Sequence, residues 1–309
     1  MSKPLISVLV DTYNHEHLIE DAINSVLSQD FPGDQLEILV VDDGSTDKTP
    51  QILRKFEPKI RVLTKPNGGQ ASAFNHGIAY CQGEFIAFLD GDDWWAPNKL
   101  TRVAEVLSAD NQIGIVGNGI IESFPDGVRK SVTPDRQERL RLNSLSAART
   151  FRLSKSYLGT SRMTLRSDIA RRIVPVPDKI IIEADEFLFT LAAALSDLVI
   201  LPDALTYYRI HGANLYVTAG GDSGKRRKQQ SLAALASSLN KELTRHGLPA
   251  DAVNSVVEII QAEGDQLRLS LDGGSRWETV RTESKIFQVM HSDAPFLPRL
   301  FRSISMLPA

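Results

Sequence analysis

The chain of 309 residues has a single cysteine, Cys81. That excludes an internal disulfide framework and a cysteine-built zinc site, and it fits a reducing compartment. No apolar run approaches the roughly 18 residues needed to cross a bilayer. The first one, Leu5 to Val10, stops at Asp11. It is too short for a signal-peptide core and the right length for a buried strand. Excess charge of one sign is also missing. The 35 Lys and Arg nearly balance the 38 Asp and Glu, for a formal net charge of -3. A nucleic-acid partner held by bulk electrostatics is thereby excluded. No G-x-G-x-x-G follows the first apolar run, which argues against an NAD-dependent dehydrogenase. Internal repeats and low-complexity tracts are absent. What is present is ordinary for a globular protein with a real core: 42% hydrophobic and 24% charged residues. The expected location is cytoplasmic, with peripheral contact at the inner face of a membrane kept open.

Two hydrophobic periods alternate along the first hundred residues. Leu5 to Val10, Leu36 to Val41, Ile60 to Leu63 and Phe85 to Leu89 are continuous apolar runs, as in strands covered on both faces. Between them Leu18, Ile19, Ala22, Ile23, Val26 and Leu27 recur at helical spacing, as do Ile52, Leu53 and Phe56, then Phe74, Ile78 and Cys81. A further helix begins near Pro97. The alternation predicts an α/β fold with a mostly parallel sheet flanked by helices. Beyond it, Ile113 to Ile121 reads as strand and Arg136 to Leu153 as a polar, partly helical insertion. Met163 to Leu165 is a short strand, Glu186 to Leu195 a helix, and Leu198 to Leu201 and Ala204 to Ile210 two strands. Gly220 to Gly224 predicts a linker. Leu232, Leu235, Leu239 and Leu243, then Val253, Val256, Val257 and Ile260, follow helical spacing. We place a boundary near residue 215, separating a catalytic domain (1–215) from a helical C-terminal extension (216–309).

The acids fall where strands end. Asp11 closes the first strand, Asp42 and Asp43 the second, and Asp90, Asp92 and Asp93 follow the run ending at Leu89. Parallel strands bring such ends to one edge of a sheet, where ligands of open α/β sheets bind. Carboxylates crowded together repel one another unless a cation or ligand compensates. Asp90-Gly91-Asp92 offers two hard oxygen donors, which suits Mg²⁺ or Mn²⁺ shared with phosphate oxygens.

The runs SVLVDTYNHEHLIEDAINSVLSQ, ILVVDDGSTDKT, NGGQASAFNHGI and GEFIAFLDGDDWW, in that order, resemble family 2 glycosyltransferases of the GT-A fold. Tyr208 to Asn214 is a weaker echo of the close of that domain. The resemblance implies an inverting, metal-dependent transferase moving a sugar from a nucleotide-diphosphate donor, UDP-linked above all, to a hydroxyl acceptor in a glycan, lipid or protein. It puts Thr12 and Tyr13 beside the base, with Asp42 or Asp43 accepting from uracil or ribose. Asp11 stands where the family commonly has Pro, a departure that implies either an added base or ribose contact or a different nucleotide preference. Asp90 and Asp92 match the family's DXD motif, which holds ribose and, through the metal, the diphosphate. Asn67 and Gln70 lie in a loop beside the nucleotide. Arg209 and His211 reach the diphosphate or the metal from the closing strand.

An inverting transfer needs a carboxylate base opposite the leaving group. In the family this is an acid near the start of a late helix, which makes Glu183, Asp185 and Glu186 the candidates. Asp185 is preferred for its Asp-x-x-Leu spacing. Two other functions compete: a sugar nucleotidyltransferase, against which stands the acidic, aromatic loop after strand one, and a catalytically silent nucleotide-sugar-binding module, against which stand the intact acids. Phe296 to Ile304 is an amphipathic stretch suited to docking on the protein's own body, a membrane surface or a partner. The helical tail makes a homo-oligomer plausible.

Overall fold

A computed structural model of the chain describes residues 5–211 and 221–290. The first elements are β1 (Ile6–Thr12), α1 (Ile19–Leu27), β2 (Leu36–Asp42), α2 (Thr49–Arg54), β3 (Arg61–Thr64), α3 (Gly69–Tyr80) and β4 (Phe85–Asp90). They alternate as the two periods require. Consecutive residues Ile6 to Val10 are all buried, because both faces of β1 are covered. Ile19, Ala22, Ile23 and Val26 of α1 are fully buried in the same core. Burying each Ile or Val there contributes about 1.5–3 kcal/mol. Pro50 lies in the first turn of α2, where its missing N–H costs nothing.

Next come β5 (Trp94–Trp95), α4 (Lys99–Ala109), β6 (Ile113–Ser123), β7 (Arg129–Val132), β8 (Glu138–Leu140), α5 (Leu145–Ser154), β9 (Thr164–Arg166), α6 (Ser167–Ile173), α7 (Ala184–Leu195) and β10 (Asp197–Arg209). The sheet runs β3-β2-β1-β4-β9-β6-β10-β5, with β7 on β6 and β8 on β10. β3, β2, β1 and β4 are parallel, and so are β6 and β10. Short β9 lies antiparallel between β4 and β6 and joins the two halves. The register sets Asp11 opposite Asp90 and Thr12 opposite Asp42. The acidic strand ends therefore meet at one edge.

The chain forms two units. The first takes residues 1–142, 154–178 and 184–212 and contains the whole sheet; the second takes 143–153, 179–183 and the residues from 213 on. Two short segments from the middle of the chain thus join the second unit. The position near residue 215, the segment Gly212 to Asn214 and the stretch Phe296 to Ile304 lie outside the described residues. In the second unit α8 (Gly221–Arg245) and α9 (Ala250–Asp272) pair, burying Leu232, Leu235, Leu239 and Leu243 with Val253, Val256, Val257 and Ile260. α10 (Arg276–Met290) follows, with Trp277 exposed on it.

Two details differ from the sequence reading. Leu198 to Ile210 is not two strands: β10 is continuous, with register shifts around Leu201 to Thr206 that absorb Pro202 as a bulge. Gly221 to Gly224 is not a linker but the first turn of α8. Gly and Ser are tolerated at a helix start, and Asp222 there favours the positive end of the helix dipole.

Candidate active site

The loop after β1 is laced to the loop after β2. Asn14 N–H donates to Ser45 Oγ (2.9 Å), His15 N–H to Thr49 Oγ1 (2.9 Å), and Glu16 N–H to Asp47 Oδ2 (3.0 Å). In return Thr46 N–H donates to Asn14 Oδ1 (2.8 Å) and Lys48 N–H to Glu16 Oε2 (3.0 Å). Asn14 turns the chain at a φ of 56°, a conformation Asn tolerates better than most residues. Tyr13, next to it, is exposed.

The acids after β2 behave differently from one another. Asp42 is buried and accepts from Ser45 N–H (2.9 Å) through Oδ1, while its Oδ2 has no partner among the described residues. Asp43 is saturated: it is ion-paired with Lys65 and accepts from Gly68 N–H (3.1 Å) and Gly69 N–H (2.7 Å). It ties the 65–69 loop and the start of α3 to the end of β2. Asn67 is exposed on that loop. Gly44, at a φ of +78°, lets Asn67 approach; a Cβ there would sit 2.7 Å from Asn67 N.

Asp90, Asp92 and Asp93 each offer an oxygen within 4.8 Å of the others. Gly91 between them is demanded by space, since a Cβ would fall 2.7 Å from Thr12 Oγ1 and 2.8 Å from His15 Nδ1. Burial, then the neighbouring carboxylates, raise Asp11 to about 8 and push Asp90 well above the usual carboxylate range. Asp93 is pushed up to about 7 by burial and by Asp92. Burial also acts upward on Asp92, but the hydrogen bond with His211 Nε2 (3.0 Å) and the charges of His15 and His211 outweigh it and leave Asp92 below its ordinary value. Buried Asp11 Oδ1 has no partner among the described residues. A group of hard oxygen donors that repel one another, one with an unsatisfied oxygen, fits a divalent cation, which reverses such upward shifts.

Arg209, at the end of β10, holds this loop from behind. Its N–H donates to Asp93 Oδ1 (2.9 Å) and its Nε to the Asp92 carbonyl (2.9 Å); its Nη2 pairs with Asp21 (2.6 Å). The guanidinium lies 4.4 Å from the Trp94 ring centroid, and Trp94 also stacks on Tyr207. Trp94 is therefore engaged in packing.

The turn at Thr160–Arg162 links this edge to α7. Asp185 accepts from Thr160 N–H (3.0 Å) and Thr160 Oγ1 (3.2 Å), and burial raises its pKa. Gln70 Nε2 donates to both Asp90 Oδ1 and Thr160 Oγ1 (3.1 Å each). Ser161 Oγ accepts from Asp90 N–H (3.1 Å) and donates to Asp90 Oδ2 (3.4 Å). The other two acids of the 183–186 run are engaged elsewhere. Buried Glu186 pairs with Lys155 (2.7 Å), and Glu183, in the second unit, pairs with Lys228 (3.2 Å).

The sequence profile of Glycosyl transferase family 2 matches residues 7–173, more than half of the chain, including the strands β1, β2 and β4 whose ends carry the acids at 11, 42, 43 and 90–93. The chain belongs to glycosyl transferase family 2. An uncharacterized glycosyltransferase of Nostoc sp. is 32% identical over 254 residues, covering 79% of this chain and 77% of that protein. Among solved structures, TarS residues 1–349 of S. aureus in complex with UDP-GlcNAc superposes with a TM-score of 0.63 at 21% identity, over 92% of this chain and 81% of that one. A mannosyltransferase from Pyrobaculum calidifontis, in complex with GDP-Man and Mn²⁺, gives 0.56 at 18% identity, over 99% and 80%. The fold is that of GT-A glycosyltransferases, and the protein is a glycosyltransferase enzyme.

In this family 2 enzyme the folding brings Asp11, Thr12, Gln70, Asp90, Asp92, Asp185 and His211 to one rim, with Asp42 at its β2 side and Tyr13 above. Asp43, Arg209 and Glu186 are held by internal partners, and Glu183 belongs to the other unit. Sequence reading missed Thr160, Ser161 and His15. Thr160 and Ser161 lie about ninety and seventy residues from their partners Gln70 and Asp90, so no local period marks them. His15 was visible within the first matching run, and only the close approach of Gly91 gives it weight. No helix among the described residues is long and apolar enough to cross a membrane.

Proposed function

We propose that this glycosyltransferase moves a sugar from a UDP-linked donor to a hydroxyl acceptor with inversion, using Mn²⁺ or Mg²⁺ held by Asp90 and Asp92, with Asp185 as base. The observation that carries the reading is the convergence of Asp11, Asp90, Asp92 and Asp185 on one sheet edge. The 13–16 and 45–49 loops make the adjoining wall, with Tyr13 free to stack on a base and the unpartnered oxygen of Asp42 free to accept from uracil or ribose. His211, through Asp92, keeps that carboxylate ionised and ready as a ligand.

When bound, the divalent ion neutralises charge developing on the leaving diphosphate. The chain's own residues do the rest. Asp185 takes the proton of the acceptor hydroxyl; that oxygen bonds to the anomeric carbon as the bond from that carbon to the diphosphate breaks, and UDP departs from the opposite face. Two hydrogen bonds from Thr160 leave Asp185 Oδ2 oriented, and its raised pKa makes it a stronger base than an exposed aspartate. Donors bound by the structural neighbours, UDP-GlcNAc and GDP-Man, define the first compounds to try.

UDP release from a panel of UDP-sugars, with GDP-Man as comparator, tests the proposal in the presence of EDTA, Mg²⁺ and Mn²⁺. Metal-dependent release of UDP from at least one donor is expected. Release that ignores EDTA removes the metal from the mechanism, and failure to bind UDP in calorimetry with Mn²⁺ present overturns the donor.

A further inference from the structure

Lys99, the first residue of α4, is fully buried, and the acceptors around its ammonium are neutral. Nζ donates to Asn118 Oδ1 (2.6 Å), to the Ser161 carbonyl (2.9 Å) and to Thr206 Oγ1 (3.2 Å), and it sits 4.8 Å from the Trp95 ring centroid. Three acceptors match the three N–H groups of the charged form. Burial lowers its pKa well below the ordinary lysine value, because the charged form has been taken out of water. Lysine is almost never fully buried unless paired, so the position calls for an explanation beyond packing.

The explanation lies in what Lys99 holds. The Ser161 carbonyl accepts from three donors at once: Lys99, Trp95 Nε1 (2.8 Å) and Thr206 Oγ1 (2.8 Å). A carbonyl has two lone pairs, so this one is pinned from several directions. Asn118 Nδ2 braces the cluster by donating to Thr206 Oγ1 (3.0 Å). On the opposite side of the same turn, Ser161 Oγ touches the amide and carboxylate of Asp90, and Thr160 touches the carboxylate of Asp185. Ser161, whose carbonyl is pinned, and its neighbour Thr160 therefore contact between them both carboxylates that the proposed reaction uses. Through Lys99, Trp95, Asn118 and Thr206, the elements α4, β5, β6 and β10 meet the turn at this point, and among the donors to the carbonyl Lys99 alone carries a charge.

We infer that Lys99 is a positioning residue for sugar transfer: its ammonium fixes the Ser161 carbonyl and hence the turn at 160–162 that sets Asp90 and Asp185 relative to each other. The inference rests on the proposed roles of those two aspartates. It acts through the turn alone, since Lys99 touches neither carboxylate.

The test is Lys99→Met, which keeps length and apolar bulk and removes the ammonium. Leu53→Ala, in the α2 core, is the control for general destabilisation. Assayed well below the melting temperature of each variant, Lys99→Met is expected to lose about 10²-fold in kcat, the scale of a misplacement near 1 Å. Its half-saturating Mn²⁺ concentration rises as well, while Leu53→Ala keeps both values. A crystal structure of Lys99→Met should show the Ser161 carbonyl turned and the separation of the Asp90 and Asp185 carboxylates changed. Wild-type kcat and metal dependence in Lys99→Met, or an unmoved turn, overturn the inference. If Lys99→Met does not fold, Thr206→Val removes another donor to the same carbonyl, and the same shifts, smaller, are required of it. A wild-type chain that releases no UDP defeats the proposed function, yet the crystallographic displacement still decides the role of Lys99.

Discussion

Two pairs of aspartates that look alike in sequence have opposite surroundings. Asp42-Asp43 and Asp90-Gly91-Asp92 both follow a buried strand, and both end up at the same sheet edge. Yet Asp43 is filled by an ammonium and two backbone N–H groups, whereas Asp90, with Gln70 and Ser161 as donors, and Asp92, with His211, also face other carboxylates. Asp43 is a joint between loops; Asp90 and Asp92 sit where carboxylates still repel one another. Residue type and position do not separate these cases. The number of donors that the folded chain supplies to each carboxylate does.

That contrast can be broken at its most sensitive point first. Asp92→Ala should cost about 10³-fold or more in kcat, the scale of losing a charge stabiliser in the transition state, with the circular dichroism spectrum unchanged. Retained turnover would show the repelling cluster to be no ligand site. Asp185→Asn should cost about 10²–10⁴-fold through loss of the base. In the wild type, kcat should fall as pH drops through the raised pKa of Asp185, because only the ionised form accepts a proton; the acid limb then lies above the ordinary aspartate range. A pH profile flat down to that ordinary range argues against Asp185.

For Asp43 the contrast requires an effect on stability. Asp43→Ala leaves the largely buried Lys65 without its partner and should destabilise the chain by about 3–5 kcal/mol in denaturant titration. Its Mn²⁺ dependence should stay near wild type once the assay is run below the melting transition. A stable Asp43→Ala that fails to bind UDP would reverse the assignment and make Asp43 a nucleotide contact. The smallest effect is expected at Ser45→Ala, which removes one exposed hydrogen bond to Asn14 N–H. A loss of about 0.5–1.5 kcal/mol, with a modest weakening of UDP affinity, would tie the laced loops to the nucleotide.

The parallel half of the sheet was legible because each strand and helix there is complete within a few residues of its own signal. Alternating runs such as Leu5 to Val10 and helical stripes such as Ile19 to Val26 need no distant information. The other half was harder to read. β9 is three residues long, and β10 is interrupted by Pro202, so its period looked like two strands. At the rim, the acids at strand ends were visible, but Thr160 and Ser161 were not. Their importance comes from contacts across seventy to ninety residues, and Thr-Ser is an unremarkable dipeptide.

The amino-acid order alone determined the strand–helix alternation, the carboxylates at the strand ends and the likeness to family 2, since hydrophobic period and residue chemistry are local properties. Only the tertiary structure decided which of three neighbouring acids faces the cluster, which aspartate is already saturated, and why a lysine lies buried at the start of α4. Those outcomes depend on how many donors and how much low-dielectric surroundings each group meets, and these are supplied by segments far apart in the chain that β9 and the 159–162 turn bring together.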